Sequence, residues 1–199
     1  MAISADQVKA LRDATGAGMM DSKRALEATN GDLEKAKDWL RQKGIAKAGA
    51  KATRTAGEGI IATYVHHNHQ LGVLLELNSE SDFVARNDEF RHLAHEIAVH
   101  IAAAEPRYLR REDVPKDVID RERAIFEGQA KDQKKPEAVI EKIIQGKMND
   151  FYKREVLLDQ AWAKDDKRTV DQMLKEAIAK LGENITISRF ARFKVGEAS

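Results

Sequence analysis

The sequence predicts an α+β protein: a small N-terminal three-helix domain, a linker, and a three-stranded antiparallel sheet packed with helices. Three observations carry this. Capping residues and glycines cut residues 4–44 into short amphipathic helices. Two β-rich runs, Ile60–Val65 and Leu71–Leu77, flank a polar turn, and a third closes the chain at Ile185–Val195. Between the second and third runs the apolar residues recur only at helical spacing. The expected division is a helical domain plus linker over residues 1–54 and an α+β core over 55–199.

The elements follow in order. Ser4-Ala-Asp-Gln7 fits a capping box, with Gln7 reaching back to the cap. Val8 and Leu11 follow at helical spacing, and Gly16-Ala-Gly18 breaks the helix. A second helix spans Met19 to Thr29, with Met19, Ser22, Ala25 and Leu26 on one side, and Asn30-Gly31 ends it. Asp32 caps a third helix carrying Leu33, Ala36, Trp39 and Leu40, which Gly44 is expected to close. Residues 43–59 are rich in Ala, Lys and Gly and have no large apolar residue beyond Ile45. That composition cannot anchor a core and reads as a tether.

The first two β runs form a hairpin around His66-His-Asn-His-Gln70. A helix starts at Asn87 or Asp88 and presents Phe90, Leu93, Ala94, Ile97 and Ile101 as one stripe, ending before Pro106. Another follows Pro115 with Val118, Ile119, Ile125 and Phe126. Pro136 suits a first helical position ahead of Val139, Ile140, Ile143, Ile144, Met148 and Phe151. Thr169-Val-Asp-Gln172 is a second capping box, and Gly182 is the stop. In the last strand Ile185, Ile187, Ala191, Phe193 and Val195 are expected on one face, interrupted by Arg189. A three-stranded sheet is thin, and its edges and second face invite pairing with another copy.

Composition narrows the function. The chain has 199 residues, and a 42% hydrophobic fraction with only three prolines excludes a disordered or low-complexity chain. With no cysteine there is no disulfide framework, Cys-ligated zinc or thiol nucleophile, and a cytoplasmic home fits. The longest apolar stretch, Ile97–Ala104, is broken by His100 and falls far short of the roughly 20 residues of a membrane span. Asp6 and the lack of an early apolar block predict no signal peptide. The formal net charge of +1 argues against a dedicated nucleic-acid binder. That value joins unlike parts: +4 over residues 1–54 and −3 over residues 55–199.

No catalytic constellation emerges. In His95-Glu-Ile-Ala-Val-His100 the five-residue step turns about 500°, which leaves the rings about 140° apart and unable to share an ion. His66, His67 and His69 lie in the hairpin turn, where an exposed polar tip is the ordinary reading. There is no phosphate loop, nucleophile elbow or paired-carboxylate signature. The chain is therefore expected to be no enzyme and to need no metal or cofactor.

Two segments remain. Met19 and Met20 cannot share a helix face, since neighbours are about 100° apart. They fill gaps in a small core, which spacing favours, or they line a contact surface rimmed by Arg12 and Lys23. Asn78-Ser-Glu-Ser-Asp-Phe-Val-Ala-Arg-Asn-Asp88 is mostly turn formers, caps and acids around Phe83 and Val84. Phe83 folds back onto the core, again favoured by spacing, or it stands out as an apolar wedge beside an acid.

The chain resembles the bacterial translation elongation factor Ts family, the exchange factors of elongation factor Tu, and the resemblance covers its whole length. Leu11-Arg-Asp-Ala-Thr-Gly-Ala-Gly-Met-Met-Asp-Ser-Lys-Arg-Ala-Leu26 matches the family's opening signature, with Ser22 where many members have cysteine. Asn78-Ser-Glu-Ser-Asp-Phe-Val-Ala-Arg-Asn87 matches its second signature, with Ser81 where threonine is usual. His100-Ile-Ala-Ala, Gly146-Lys-Met and Arg189-Phe-Ala-Arg-Phe-Lys-Val-Gly-Glu197 also fit.

The resemblance implies roles. The first domain would be a ubiquitin-associated-like module docking on the partner GTPase through Leu11, Arg12, Met19, Met20 and Lys23. Ser81, Asp82, Phe83 and Val84 would disturb the partner's magnesium site, with Phe83 as the wedge, and this reverses the reading from spacing. His67, Leu71, Gly72 and Val73 are further contact candidates. Many members duplicate the core unit. A single unit here resembles the short form that self-associates as a homodimer. The competing expectations are a peptide- or ubiquitin-type adaptor without exchange activity, and a metal-dependent hydrolase built on the histidines.

Overall fold

A computed structural model describes residues 3–131 and 136–197. The elements, in chain order, are α1 (Ala5–Thr15), α2 (Met19–Ala28), α3 (Leu33–Lys51), β1 (Glu58–Val65), β2 (Leu71–Ser79), α4 (Asp82–Ala85), α5 (Asp88–Ala104), α6 (Lys116–Lys131), α7 (Glu137–Glu155), β3 (Ala161–Trp162), β4 (Asp165–Thr169), α8 (Val170–Leu181) and β5 (Thr186–Lys194). The class is α+β. Strands β1, β2 and β5 form a three-stranded antiparallel sheet in the order β1-β2-β5, and β3 and β4 form a separate two-stranded ribbon. The described residues gather into two compact units. One takes Met1–Ile60, Asn78–Arg91 and Gln172–Thr186; the other takes Ile61–Leu77, His92–Asp171 and Ile187–Ser199.

In the first unit the capping box forms as the sequence predicts. The Ser4 hydroxyl accepts from the Gln7 amide at 3.2 Å, and Gln7 Oε1 accepts from the Ser4 amide at 3.0 Å. Helices α1 to α3 enclose a small core of Val8, Leu11, Ala25, Leu26 and Ala36, with Ile3, Trp39 and Leu40 against it. Asp32 caps α3 by accepting from the Lys35 amide at 3.0 Å. Leu33, expected inside, is exposed.

Gly44 does not close the third helix. α3 runs on to Lys51, through much of the expected tether. The Ala- and Lys-rich sequence there has high helix propensity. A Cβ on Gly44 would meet the Cβ of Ala179 at 3.1 Å, so the glycine serves close packing against α8. Gly16 does end α1, in the left-handed conformation at φ 68°.

In the second unit the sheet and the α5 stripe supply the core. Val73, Leu75 and Leu77 alternate inward along β2, and Ala94, Ile97, Ala98 and Ile101 are buried on α5. Helices α6 and α7 enclose a second cluster of Val114, Ala130, Ile144, Met148, Phe151 and Val156. Ile125 and Val139, expected in that stripe, are exposed.

The last strand departs from the expected single face. Ile187 is buried, but Phe193 and Val195 are 68% and 72% exposed. Ser188 and Arg189 are exposed in succession, which breaks the alternation. After the slip the odd positions lie on the open face, where Arg189 pairs with Glu76 at 2.7 Å. The even-numbered Arg192 then turns inward to meet Glu105.

Candidate partner-docking site

The segment joining β2 to α5 is held at every polar atom of one residue, Ser81. Its hydroxyl donates to Glu183 Oε1 at 2.6 Å and accepts from the Val84 amide at 3.4 Å. Its amide donates to Glu183 Oε2 at 3.0 Å. Its carbonyl accepts from the Ala85 amide at 3.2 Å and from the Ser79 hydroxyl at 2.9 Å. Ser81 thus acts as the N-cap of α4, a helix of four residues.

That helix orients Phe83. Ala85 is buried and fixes the inner side of the turn. Phe83 lies two residues earlier, about 200° around the helix, and so points outward. Phe83 is 82% exposed, the most of any large apolar residue among those described. The fold-back expected from spacing does not occur: α4 is too short to have two apolar faces, and Ala85 takes the inner one. Asp82 pairs with Arg86 at 2.9 Å one turn on, and Val84 is half-buried.

The same unit carries the methionines. Met19 is 49% and Met20 62% exposed, so neither fills the core as spacing suggested. The core of α1 to α3 is already closed by small residues, Ala25 and Ala36, with Leu11 and Leu26. Lys23 reaches Glu27 at 3.8 Å and Arg12 reaches Asp13 at 3.0 Å, both as exposed ion pairs. Leu11 is fully buried, so its side chain supports α1 and is absent from the exposed face.

The hairpin tip lies in the second unit. His67 is exposed and its ring sits 4.2 Å from that of His66. His66 Nδ1 bonds the Tyr64 hydroxyl at 2.8 Å. Leu71 and Gly72 are half-buried, and Val73 is buried in the core. Among the described residues no group of three or more His, Asp or Glu side chains is placed to hold a metal ion. Among them, too, no helix is long and apolar enough to cross a membrane.

Sequence reasoning missed Glu183 and Asn184. Asn184 is buried; its amide donates to Glu80 Oε1 at 2.6 Å and its side chain to the Arg54 carbonyl at 2.7 Å. No local signal marks either residue, because their partners are more than a hundred residues away.

Comparison with known proteins is consistent along the chain. The family model described as elongation factor TS matches residues 45–197. A protein of Thermosipho melanesiensis named elongation factor Ts is 58% identical over 195 residues, covering 98% of this chain and 100% of that one. Its namesake in Fervidobacterium nodosum is 56% identical over 197 residues, covering 99% and 100%. Another in Geobacter sulfurreducens is 52% identical over 197 residues, covering 99% and 91%. By this match over most of its length, the chain belongs to the bacterial elongation factor Ts family of translation factors.

Proposed function

We propose that this chain is a guanine nucleotide exchange factor for elongation factor Tu. Residues 1–54 dock on the GTPase, and the core of residues 55–199 disturbs its magnesium site through Ser81 to Val84. The observation that carries this reading is Phe83, 82% exposed on a short helix whose cap is clamped. An exposed aromatic on a pre-ordered support is the form of an interface anchor. Exchange needs no covalent chemistry. A factor that binds the nucleotide-free GTPase better weakens nucleotide binding by the same ratio. Magnesium is a sensitive target, because it demands near-ideal octahedral geometry and few protein contacts hold it.

Self-association belongs to the same proposal. The open sheet face carries Ile61, Val65, Leu74, Phe193 and Val195, each 47% exposed or more, around the Glu76–Arg189 pair. A second copy would cover these apolar groups, and an isologous contact suits a face bearing both charges.

Stopped-flow release of labelled GDP from elongation factor Tu tests the exchange reading. Phe83→Ala should fold normally and slow release at saturating factor about thirtyfold, the loss of one interface anchor. Release at the wild-type rate by a folded variant would sink it.

A further inference from the structure

We propose that Glu183 is a positioning residue for exchange: its carboxylate orders the Phe83 segment before the partner arrives. The inference rests on the exchange reading above and adds a residue that neither signature segment contains.

The geometry is a two-point clamp from the far end of the chain. Both donors of Ser81, amide and hydroxyl, are taken by the two oxygens of one carboxylate, at 3.0 and 2.6 Å. The helix they cap has only four residues. Helix nucleation is unfavourable, and so short a turn does not persist on its own hydrogen bonds. A charged acceptor outside the helix supplies what the sequence of the segment lacks.

Glu183 is itself presented on fixed backbone. Gly182 before it stops α8 at φ 84°, its amide bonding the Ile178 carbonyl at 3.0 Å and its carbonyl accepting from Lys51 Nζ at 2.5 Å. Asn184 after it is buried and bonded to both Glu80 and Arg54. The bonds of Gly182 to Lys51 and of Asn184 to Arg54 therefore tie the clamp to α3 and the chain after it, outside the segment it holds. A segment ordered in advance spends no interaction energy on ordering at the partner's surface. Glu183 bonds Ser81, so its effect reaches the partner through the placement of Phe83.

The test uses the full-length protein and three variants: Glu183→Ala, Glu183→Gln and Phe83→Ala. Two measurements are made, backbone amide hydrogen exchange on the free protein and stopped-flow GDP release from elongation factor Tu over a range of factor concentrations. Glu183→Ala should accelerate exchange of the Ser81 and Val84 amides about tenfold or more, with the α5 amides and the thermal midpoint unmoved. It should lower the maximal rate of GDP release about tenfold and leave the half-saturating concentration within about twofold. Glu183→Gln keeps one acceptor oxygen and should recover part of both effects.

Three results would overturn the assignment. One is unaltered Ser81 and Val84 amides in Glu183→Ala. Another is a maximal release rate equal to wild type in Glu183→Ala while Phe83→Ala is slow. The last is a parallel loss of thermal midpoint and affinity, which marks general loosening. Wild-type release by Phe83→Ala removes the exchange reading and this inference together.

Discussion

His100 and Trp162 stack with ring centroids 5.1 Å apart and planes inclined by 23°. His100 is buried, and both its nitrogens are committed. Nδ1 accepts from the Ala163 amide at 3.2 Å, so the neutral ring carries its proton on Nε2 and donates to Gln160 Oε1 at 3.0 Å. Gln160 passes its own amide hydrogens to the carbonyls of Ala104 and Arg154. The imidazole thus closes a network joining α5, the end of α7 and the β3 ribbon.

This network makes stability fall in mild acid. Burial pushes the His100 pKa below its ordinary value, and the Gln160 bond offsets only part of that. The folded protein therefore binds fewer protons than the unfolded chain. The contribution is complete above the unfolded histidine value of about 6.5 and is lost as pH falls from there through the lower folded value. His100→Asn should cost about 2 kcal/mol at pH 7.5 by breaking buried bonds. It should also lose less stability than wild type between pH 7.5 and pH 5.5. Urea midpoints of both proteins at the two pH values decide this; equal losses would remove His100 as the cause.

Ser22 is the opposite case, a buried polar atom with nothing to bond. It is fully buried in α2, and its hydroxyl has no hydrogen-bond partner. An unsatisfied buried hydroxyl costs about 1–3 kcal/mol. Ser22→Cys keeps the shape and removes that cost. The expected result is a gain of about 1 kcal/mol, a melting midpoint about 2–4 °C higher, with GDP release unchanged. A lower midpoint would show that the hydroxyl is satisfied in solution.

What the sequence disclosed follows from the range of the interactions. The Ser4 and Asp32 caps, the hairpin and the α5 stripe are set by residues within a turn or two of each other, and they stand where the pattern predicted; Pro136, predicted as a first helical residue, is instead the N-cap of α7. Gly44 misled because its reason lies in Ala179, on a helix 135 positions later. The slip at Ser188–Arg189 misled because strand parity is settled by pairing, which composition does not encode. α4 escaped notice because four residues show no period. Phe83 is legible as a candidate from its polar surroundings, yet its exposure depends on the distant clamp by Glu183. β3 has only two residues and β4, Asp165–Thr169, is polar throughout, so neither shows an alternation to reveal it.

The open sheet face gives a prediction about assembly. Phe193 is 68% exposed beside Val195 at 72%, and full burial of one such side chain is worth about 1.5–3 kcal/mol. Phe193→Glu introduces a charge where a second copy would press an apolar face. Sedimentation should show wild type at twice the monomer mass and the variant at the monomer mass. Circular dichroism should stay unchanged, since the side chain contributes nothing to the core. A monomeric wild type at working concentration would sink the proposed pairing.

The two-part reading separates docking from exchange, and Met20 tests the docking half. It is 62% exposed and outside the core of α1 to α3, so Met20→Ala should leave the fold and melting midpoint intact. If Met19 and Met20 form the face on which the GTPase docks, truncation removes binding shared by every state of the partner. Such uniform binding raises the half-saturating concentration without changing the maximal rate. The expected shift is about tenfold, with maximal GDP release within about twofold of wild type. Phe83→Ala should do the reverse, lowering the maximal rate while docking persists. A maximal rate reduced by Met20→Ala would place the methionine with the wedge. An unchanged half-saturating concentration would exclude it from the docking face.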